Sequence, residues 1–292
     1  MNTNTKILIL GADGMVGHKL TQVLSNNYKV FGTSRKNCKS LKNFFPNASK
    51  FFQIDFLSDN FIGDINSIKP DVIINCLGIT TRRISIQNQN LIEFINSKLP
   101  KVLSKYCDNN DIKFIHFSTD CVFSGKRGNY NEQDRPDASD IYGLSKSKAE
   151  KLNPNSLIIR SSMIGREIYN KTEFLEWIIS SKNTEISGYN QSFYSGVSTI
   201  WMSNTIEIIL KNFNSLRGLY NVSSVPITKF KLANLINNKF NLNITIKESN
   251  EINSNKVLIS SKFVNETGIL KPSWEDLIDE LYEDSLKFKS IY

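Results

Sequence analysis

Several features that would place the chain in a specialised class are missing. No apolar run among its 292 residues approaches the roughly 18 residues that a membrane-spanning helix needs. The N-terminal apolar run before Gly11 is too short for a signal peptide and is typical of a first strand. The four cysteines are far apart, with no CxxC pair and no histidine at metal-ligand spacing. We therefore expect a cytoplasmic globular protein with reduced thiols and no metal site.

Concentrated charge is also missing, although the chain carries a net charge of +8. Its lysines and arginines are scattered among Asn, Ser and Ile, without a basic block or an aromatic–basic stripe. This distribution does not indicate a nucleic-acid partner. We interpret the positive charge as a mild electrostatic attraction toward an anionic small molecule.

The first half of the chain alternates short apolar segments with amphipathic ones. Six segments rich in β-branched residues predict strands at 6–10, 28–33, 50–55, 71–76, 112–118 and 156–160. Helical patterns lie between several of them, at 18–26 and 91–107. This alternation predicts an α/β fold with a doubly wound parallel sheet of the Rossmann type, whose strands are covered on both faces.

After position 160 the alternation becomes less regular. The sequence predicts helices near 172–181, 227–240 and 273–288, a segment 193–212 of mixed character, and a short strand at 218–223. Ser273 is a suitable N-cap for the last helix. We divide the chain into a sheet domain of residues 1–162 with about 193–225, and a smaller interleaved α/β domain of 163–192 and 226–292.

Three glycines follow the first predicted strand at a spacing typical of nucleotide-binding turns. Gly11, Gly14 and Gly17 form a GxxGxxG pattern directly before a predicted helix. Glycine permits a tight turn, a close approach of pyrophosphate to the backbone, and close packing of helix on strand. The helix N-terminus then offers free N–H groups to the phosphates. In this context the turn predicts a dinucleotide cofactor.

The end of the second predicted strand indicates which dinucleotide binds. It carries Ser34, Arg35 and Lys36 in place of an acidic ribose reader. Because guanidinium binds phosphate through two parallel hydrogen bonds, Ser34 and Arg35 favour NADPH over NADH. A solvated surface arginine is the alternative. Asp55, which ends the third predicted strand, either reaches the adenine edge or caps the following helix.

A phenol and an ammonium stand four residues apart in a predicted helix. Tyr142 and Lys146 therefore share one helix face. An ammonium beside a phenol favours the phenolate and lowers the pKa of the tyrosine. Thr119 follows the fifth strand, at the sheet edge where open α/β folds bind ligands. We predict that Tyr142 donates a proton to a carbonyl oxygen under reduction and that Thr119 hydrogen-bonds the same oxygen.

The motifs GADGMVG, STDCVF and YGLSK, with Asp55-Phe56, resemble the extended short-chain dehydrogenase/reductase family. They are most similar to its dTDP-4-dehydrorhamnose reductase group of sugar-nucleotide reductases. RSSMIGRE (160–167) and GLYNVSS (218–224) extend the resemblance over essentially the whole chain. The resemblance implies an NADPH-binding sheet domain and a smaller C-terminal domain that closes over a nucleotide-diphosphate sugar.

The resemblance also implies individual roles. Thr119, Tyr142 and Lys146 match the catalytic triad, and Asn96 matches a structural asparagine that supports the lysine through water. Cofactor contacts are implied for Asp13, Gly14, Met15, Val16, Asp55, Phe56, Cys76, Leu77, Gly78, Ile79 and Thr80, besides Tyr142 and Lys146. Substrate contacts are implied for Thr119, Asp120, Cys121, Met163 and Gln191.

Two positions depart from the rhamnose-forming reductases, which carry an aromatic residue in place of Cys121 and a tryptophan in place of Met163. Both changes reshape the sugar pocket and leave the identity of the hexose open. Cys121 also stands where the dehydratase branch has its glutamate, which disfavours dehydration. In GDP-fucose synthases a cysteine at the matching position is an acid/base in epimerisation. A small buried hydrophobe is the alternative interpretation of Cys121.

Other positions keep two interpretations. Arg82 and Arg83 either meet a substrate diphosphate or are solvated loop charges. Residues 191–195 match a segment that contacts the sugar or the nucleotide in the family, although Tyr194 is equally compatible with a core position. The two histidines, His18 and His116, are interpreted as packing residues.

Taken with these patterns, the resemblance implies an NADPH-dependent reductase of a nucleotide-activated 4-keto-6-deoxyhexose, serving surface polysaccharide synthesis. An epimerase or epimerase–reductase that uses Cys121 is one alternative. A non-catalytic NADP-binding regulatory subunit is another, although such a subunit has no need of the Tyr142–Lys146 pair. A nucleotide-sugar partner is expected and a membrane partner is not; the oligomeric state is open, with a homodimer as one candidate.

Overall fold

The structure is a computed structural model, which describes residues 1–35, 38–80 and 89–292. In chain order its strands are β1 (Lys6–Leu10), β2 (Lys29–Thr33), β3 (Lys50–Phe52), β4 (Val72–Asn75), β5 (Lys113–Ser118), β6 (Leu157–Arg160), β7 (Met163–Ile164), β8 (Glu185–Tyr189), β9 (Ser192–Tyr194), β10 (Val197–Ser198), β11 (Gly218–Asn221), β12 (Ile227–Thr228), β13 (Thr245–Ser249) and β14 (Ser254–Asn255). The helices are α1 (Met15–Leu24), α2 (Cys38–Phe44), α3 (Phe61–Ile68), α4 (Gln89–Glu93), α5 (Leu99–Asn109), α6 (Ile141–Lys148), α7 (Phe174–Ser180), α8 (Thr199–Asn212), α9 (Lys229–Phe240), α10 (Ser261–Thr267) and α11 (Trp274–Lys287).

Seven parallel strands form the central sheet, in the order β11-β6-β5-β4-β1-β2-β3. They include the six strands predicted in the first half of the chain and the short one predicted near 218–223. The doubly wound α/β fold is therefore confirmed. Because β1 lies between β4 and β2, the chain reverses its direction of winding beside β1, the position at which such sheets bind ligands.

Both faces of the sheet are buried, as the continuous apolar strands predict. Ile7 and Ile9 of β1 point into one core, which includes side chains of α1 and α8. Leu8 and Leu10 point into a second core, which includes side chains of α3 and α5. Since successive side chains of a strand alternate between faces, only a strand that is apolar at every position satisfies both cores.

The strands outside the large sheet form three short sheets, which together with the helices α7, α9 and α11 we call the smaller region. β8 pairs with β13, β7 pairs with β10, and β12, β9 and β14 form a three-stranded sheet. The helices α7, α9 and α11 supply buried residues such as Leu175, Ile236 and Leu277 to one core. Ser273 caps α11 through a hydrogen bond from the amide of Asp276, as its position predicts.

Some elements differ from the sequence-based prediction. The mixed segment 193–212 contains the end of β9, all of β10 and the helix α8. α10 packs against the large sheet, where the rings of Phe263 and Tyr220 lie 6.3 Å apart. Within the described ranges 1–35, 38–80 and 89–292, no helix has the length and apolar character to cross a membrane.

Candidate active site

The glycine turn connects β1 to α1 at the centre of the sheet. Gly11 has a φ of +77°, a conformation that glycine adopts without strain. The amide of Gly11 donates to Thr33 Oγ1 at 3.1 Å and that of Ala12 to the Thr33 carbonyl at 2.8 Å, so the turn is held against β2. A Cβ on Gly17 would collide with the Gly11 carbonyl oxygen, which explains why the helix needs glycine there.

Gly14 differs from Gly17 in what surrounds it. It is the N-cap of α1 and provides no side-chain cap for the helix. A Cβ on Gly14 would meet only the Gly11 carbonyl oxygen, at 3.4 Å, so the space in front of the first turn of α1 is open. An open helix N-terminus of this kind fits the pyrophosphate of a dinucleotide. Met15 and Val16, both half-buried, begin the helix.

The side chains at the end of β2 are arranged around the same turn. The buried Ser34 donates a hydrogen bond to Asp13 Oδ2 at 2.8 Å. Arg35 is exposed next to it, which suits either a phosphate contact or a solvated charge. Lys36 lies outside the described residues.

Asp55 and Phe56 follow β3. The Asp55 carboxylate accepts a hydrogen bond from the amide of Leu57 at 3.0 Å, within a local turn. The alternative in which Asp55 caps the following helix is wrong, because α3 begins at Phe61 with Asn60 as its N-cap. Phe56 is buried and its ring lies 5.9 Å from that of Phe61, so its side chain belongs to the core.

One asparagine, Asn96, connects the segment after β4 to the helix α6 by hydrogen bonds. Asn96 Oδ1 accepts from the amide of Ile79 at 2.9 Å, and its Nδ2 donates to the Ile79 carbonyl at 3.0 Å and to Ser145 Oγ at 3.1 Å. Asn96 lies in a π-helical turn (Phe94–Lys98), an irregularity that is frequent at functional sites. It thereby ties the predicted cofactor segment to the residue before Lys146.

The other predicted residues of this segment have different exposures. Cys76 and Leu77 are half-buried, and Gly78 is exposed with only Asn96 Oδ1 near the position of a Cβ, at 3.8 Å. Thr80 donates to Glu173 Oε1 at 3.1 Å. Gly78 therefore leaves the sheet edge open for a planar ligand. Arg82 and Arg83 lie outside the described residues.

Thr119, Asp120 and Cys121 form a short turn at the carboxyl end of β5. Thr119 Oγ1 accepts from the amide of Cys121 at 3.1 Å and donates to Asp120 Oδ1 at 3.1 Å. The helix α6 approaches this turn closely because Gly143 faces it. A Cβ on Gly143 would collide with the Cys121 carbonyl oxygen. Gly143 thus sets how near Tyr142 comes to Thr119, a role that the sequence did not indicate.

The phenol of Tyr142 is not ionised in this arrangement. Burial raises its pKa above the ordinary value, and the neighbouring Cys121 acts in the same direction. A hydrogen bond with the Thr119 side chain opposes the rise. The prediction that Lys146 lowers the pKa of Tyr142 is therefore not borne out by the net shift, which is upward. A protonated phenol that hydrogen-bonds Thr119 is nevertheless suited to donate a proton.

Lys146 directs its ammonium toward the end of β5. Its ammonium donates to the Phe117 carbonyl oxygen at 2.6 Å and lies 3.5 Å from His116 Nε2. Burial lowers the pKa of Lys146 to about 8, against the opposing effect of Glu150. His116 is also buried, and its Nδ1 lies 3.1 Å from Asn75 Nδ2. His116 is therefore a polar support of the lysine as well as a packing residue.

Cys121 has a pKa raised to about 12, mainly by burial and then by the Asp120 carboxylate. A neutral thiol is a poor base at physiological pH. The positive charge of Lys256 acts on the thiol in the opposite direction and lowers its pKa. The sequence did not indicate Lys256, because no motif connects it with Cys121.

The smaller region completes the surroundings of the triad. The ring of Tyr194 lies 5.5 Å from that of Trp274, and its hydroxyl is under the electrostatic influence of Asp120 and Cys121, so it is both a core residue and a residue of the site. Burial raises its pKa, and the carboxylates of Asp120 and Glu173 add to the rise. Of the predicted substrate contacts in this part of the chain, Met163 is half-buried in β7 and Gln191 is exposed between β8 and β9.

A cavity of about 490 Å³ lies in the smaller region, lined by Phe174, Trp177, Ile186, Ser187, Gly188, Tyr189, Ser192, Lys229, Ala233 and Ile252. None of the triad residues lines it. The cavity is nevertheless near the triad in the chain: Phe174 lines it, and the preceding residue, Glu173, has a carboxylate that raises the pKa of Tyr142. Aromatic walls with one lysine suit a planar, anionic ligand such as a nucleotide. In the described part of the chain, no group of three or more potential metal ligands comes together.

Comparison with known proteins adds the family. Residues 5–285 match the family described as RmlD substrate binding domain. The chain belongs to this family. Its curated relatives include the spore coat polysaccharide biosynthesis protein SpsK of Bacillus subtilis, which is 24% identical over 294 residues, covering 96% of the chain and 98% of that protein.

Two further relatives differ in coverage. The probable low-salt glycan biosynthesis reductase Agl14 of Haloferax volcanii is 28% identical over 163 residues, which span 53% of the chain and 52% of that protein, about half of its length. The methionine adenosyltransferase 2 subunit beta of Bos taurus is 24% identical over 255 residues, covering 82% of the chain and 73% of that protein.

A solved structure has the same fold over nearly its whole length. The dTDP-4-dehydrorhamnose reductase of Bacillus anthracis, crystallised in complex with NADP, superimposes with a TM-score of 0.79 and 22% identity, covering 96% of this chain and 99% of that one. The chain therefore shares its fold with that structure over nearly its whole length.

Proposed function

We propose that the protein reduces the C4 keto group of a nucleotide-activated 4-keto-6-deoxyhexose with NADPH. The observation that carries this proposal is the meeting of Thr119, Tyr142 and Lys146 at the carboxyl edge of the sheet, beside an open glycine turn. A protonated phenol, a hydroxyl and a buried ammonium at that edge are the groups that carbonyl reduction requires.

The residues of the turn fit the cofactor. The N-terminus of α1 and Gly14 would hold the pyrophosphate, Ser34 and Arg35 the 2′-phosphate, and Gly78 the nicotinamide side. NADPH, when bound, supplies the hydride. Tyr142 donates its proton to the C4 oxygen, and the Thr119 hydroxyl turns from Asp120 Oδ1 to donate a hydrogen bond to that oxygen. Lys146, with a pKa near 8, would supply a positive charge at the end of β5, where its ammonium is held by the Phe117 carbonyl.

The cavity beside α7 supports a nucleotide-sugar substrate. Its aromatic side chains Phe174, Trp177 and Tyr189 can stack on a base, and Lys229, whose ammonium lies 5.5 Å from the Phe174 ring centre, offers positive charge. The similarity to SpsK and to Agl14, which are named for polysaccharide and glycan biosynthesis, supports a role in the synthesis of a surface polysaccharide.

Two other functions remain candidates. The similarity to the beta subunit of methionine adenosyltransferase 2 over most of the chain favours a regulatory NADP-binding protein as the second candidate. An epimerase that uses Cys121 is less well supported, since burial keeps the thiol protonated with a pKa of about 12. A Cys121→Ser variant with full activity would eliminate the epimerase.

The test is NADPH oxidation by the purified protein with a panel of dTDP-, UDP-, GDP- and CDP-linked 4-keto-6-deoxyhexoses, with the products identified by NMR. We expect oxidation with one nucleotide and a product changed only at C4. A product also inverted at C3 or C5 would favour the epimerase–reductase. Tight NADPH binding without oxidation of any substrate would favour the regulatory subunit.

A further inference from the structure

Lys256 is carried into the candidate site by a firmly held segment of the smaller region. The amide of Asn255 donates to the Gly125 carbonyl at 2.7 Å, and the amide of Tyr130 donates to the Val257 carbonyl at 2.9 Å. On its other side, the amide of Leu258 donates to Ser195 Oγ at 3.0 Å. The segment therefore runs between the loop after β5 and the end of β9, and its backbone position is fixed from both sides.

The fit is close at Gly125. This glycine has a φ of +83°, and a Cβ on it would lie 3.2 Å from Lys256 Cγ and 2.5 Å from Ser254 Oγ. The stem of Lys256 thus lies directly over the loop that follows the Thr119–Asp120–Cys121 turn. The contact with Gly125 therefore restricts the direction of the Lys256 side chain.

Beyond this stem, the ammonium of Lys256 lies within the electrostatic influence of Cys121, Asp120 and Asp140. Burial lowers the pKa of Lys256, but Cys121, Asp120 and Asp140 outweigh this effect, so the group stays charged. Within residues 1–35, 38–80 and 89–292 it forms no ion pair with a carboxylate. An ammonium has three donors and a thiol is a weak acceptor, so donors remain for a ligand.

Asp120 supplies the complementary acceptor. Its carboxylate is buried, and a carboxylate has about four acceptor sites, so sites remain beside the hydrogen bond from Thr119 Oγ1. A hydroxyl donates one hydrogen bond and accepts others, so a carboxylate and an ammonium on either side of it satisfy both roles. The pair Asp120–Lys256 therefore suits a sugar hydroxyl next to the oxygen that Thr119 and Tyr142 bind.

We propose that Lys256, with Asp120, binds the C3 hydroxyl of the substrate and is a specificity-determining residue of the reduction. This inference rests on the proposed function. When the C4 oxygen lies at Thr119 and Tyr142, the adjacent ring carbons are C3 and C5. In a 6-deoxyhexose C5 carries a methyl group and the ring oxygen, so the hydroxyl within reach is that on C3.

The test compares two substrates that share the nucleotide chosen by the panel, a 4-keto-6-deoxyhexose and its 3-deoxy analogue, with wild-type protein and the variants Lys256→Met and Lys271→Met. Lys271 is exposed in the same C-terminal part of the chain and serves as the matched control. We expect wild-type kcat/KM to favour the 3-hydroxy substrate by about 100-fold or more, because a site built for a hydroxyl rejects a substrate that lacks it.

The expected signature is selective. Lys256→Met should lower kcat/KM about 10- to 100-fold for the 3-hydroxy substrate and less than about threefold for the 3-deoxy analogue. Lys271→Met should change neither. The NADPH dissociation constant and the unfolding temperature should stay near the wild-type values. If Lys256→Met fails to fold, Lys256→Gln replaces it. This variant keeps an N–H donor on a shorter side chain, so kcat/KM for the 3-hydroxy substrate should again fall more than kcat/KM for the 3-deoxy analogue, but by a smaller factor.

Equal losses on both substrates, or no loss on either, would overturn the role of Lys256 while leaving the reductase intact. A wild-type protein that neither reduces nor binds any 4-keto sugar nucleotide, yet binds NADPH, would overturn the proposed function and this inference with it. Binding of 4-hydroxy product analogues that is insensitive to the C3 hydroxyl would overturn the inference alone.

Discussion

In the large sheet, β1 alternates Ile7 and Ile9 into one core with Leu8 and Leu10 into the other. In the smaller region the strands have between two and five residues, and two of them, β8 and β13, are partly exposed. The first region supplies Thr119, Tyr142 and Lys146 of the candidate site. The second supplies Tyr194, Glu173 and Lys256, which surround the place where a substrate would lie.

This contrast suggests a division of labour. A sheet that is buried on both faces holds its strand ends rigidly, which suits groups that must meet a reacting atom. A region of short strands tolerates substitution more readily, which suits groups that select the substrate. Changes in the sheet should therefore abolish turnover for every substrate, whereas changes in the smaller region should alter the choice among substrates.

The largest effect is expected at Tyr142. Tyr142→Phe removes the phenol proton but keeps the ring, so kcat should fall by about 10²- to 10⁴-fold, whichever nucleotide sugar is used. Steady-state kinetics with several substrates measure the fall, and NADPH binding with the unfolding temperature serves as the control. Turnover near that of wild type would mean that the phenol is not the proton donor.

Two substitutions in one turn separate packing from cofactor binding. Gly17→Ala places a Cβ against the Gly11 carbonyl and should destabilise the fold by about 1–3 kcal/mol. Gly14→Ala places a Cβ in open space 3.4 Å from the same oxygen. It should leave the unfolding free energy within about 0.5 kcal/mol of wild type but weaken NADPH binding. Denaturant unfolding and fluorescence titration distinguish the two, and equal stability losses would contradict the assignment.

The pH dependence should report Lys146. Its folded-state pKa is lowered to about 8, so the ammonium is present below that pH and is lost as the pH rises through it. If catalysis needs the charge, kcat/KM should fall about tenfold per pH unit above that value. A pH–rate profile measures this, with Lys148→Met, an exposed lysine of the same helix, as the control. A flat alkaline limb would argue against a charged Lys146.

The smallest effect is expected in the cavity of the smaller region. Trp177→Leu removes an aromatic wall but keeps an apolar side chain, so KM for the nucleotide sugar should rise about tenfold with little change in kcat. The variant should leave NADPH binding unchanged. A fall in kcat with constant KM would place Trp177 among the groups that act on the reacting sugar. It would contradict the view that the smaller region only selects the substrate.

The large sheet could be predicted because its strands are short, mainly apolar segments, of which KILIL and VIIN are rich in β-branched residues. The strands β8 and β13 could not, since their sequences EISGY and TIKES are short, partly polar and largely exposed. The helices α2 and α3 were not predicted either. They have seven and eight residues, too few for a clear helical period.

The candidate site shows the same limit. Spacing in the sequence predicts that Tyr142 and Lys146 share a helix face, but not that the ammonium turns to the Phe117 carbonyl or that burial raises the pKa of the phenol. Lys256 was missed because its neighbour Cys121 is far away in the chain. Only the path of the segment after β14 brings the two together.

The π-helical turn that contains Asn96 has a consequence for sequence insertions and deletions. A π turn holds one residue more than the α-helical register requires, so the helix before it is rotated by about 100° relative to a continuous α-helix. Deleting a single residue between Phe94 and Lys98 would restore the regular helix and turn the Asn96 amide away from Ile79 and Ser145. The length of this helix, and not only its composition, is thus part of what the site requires.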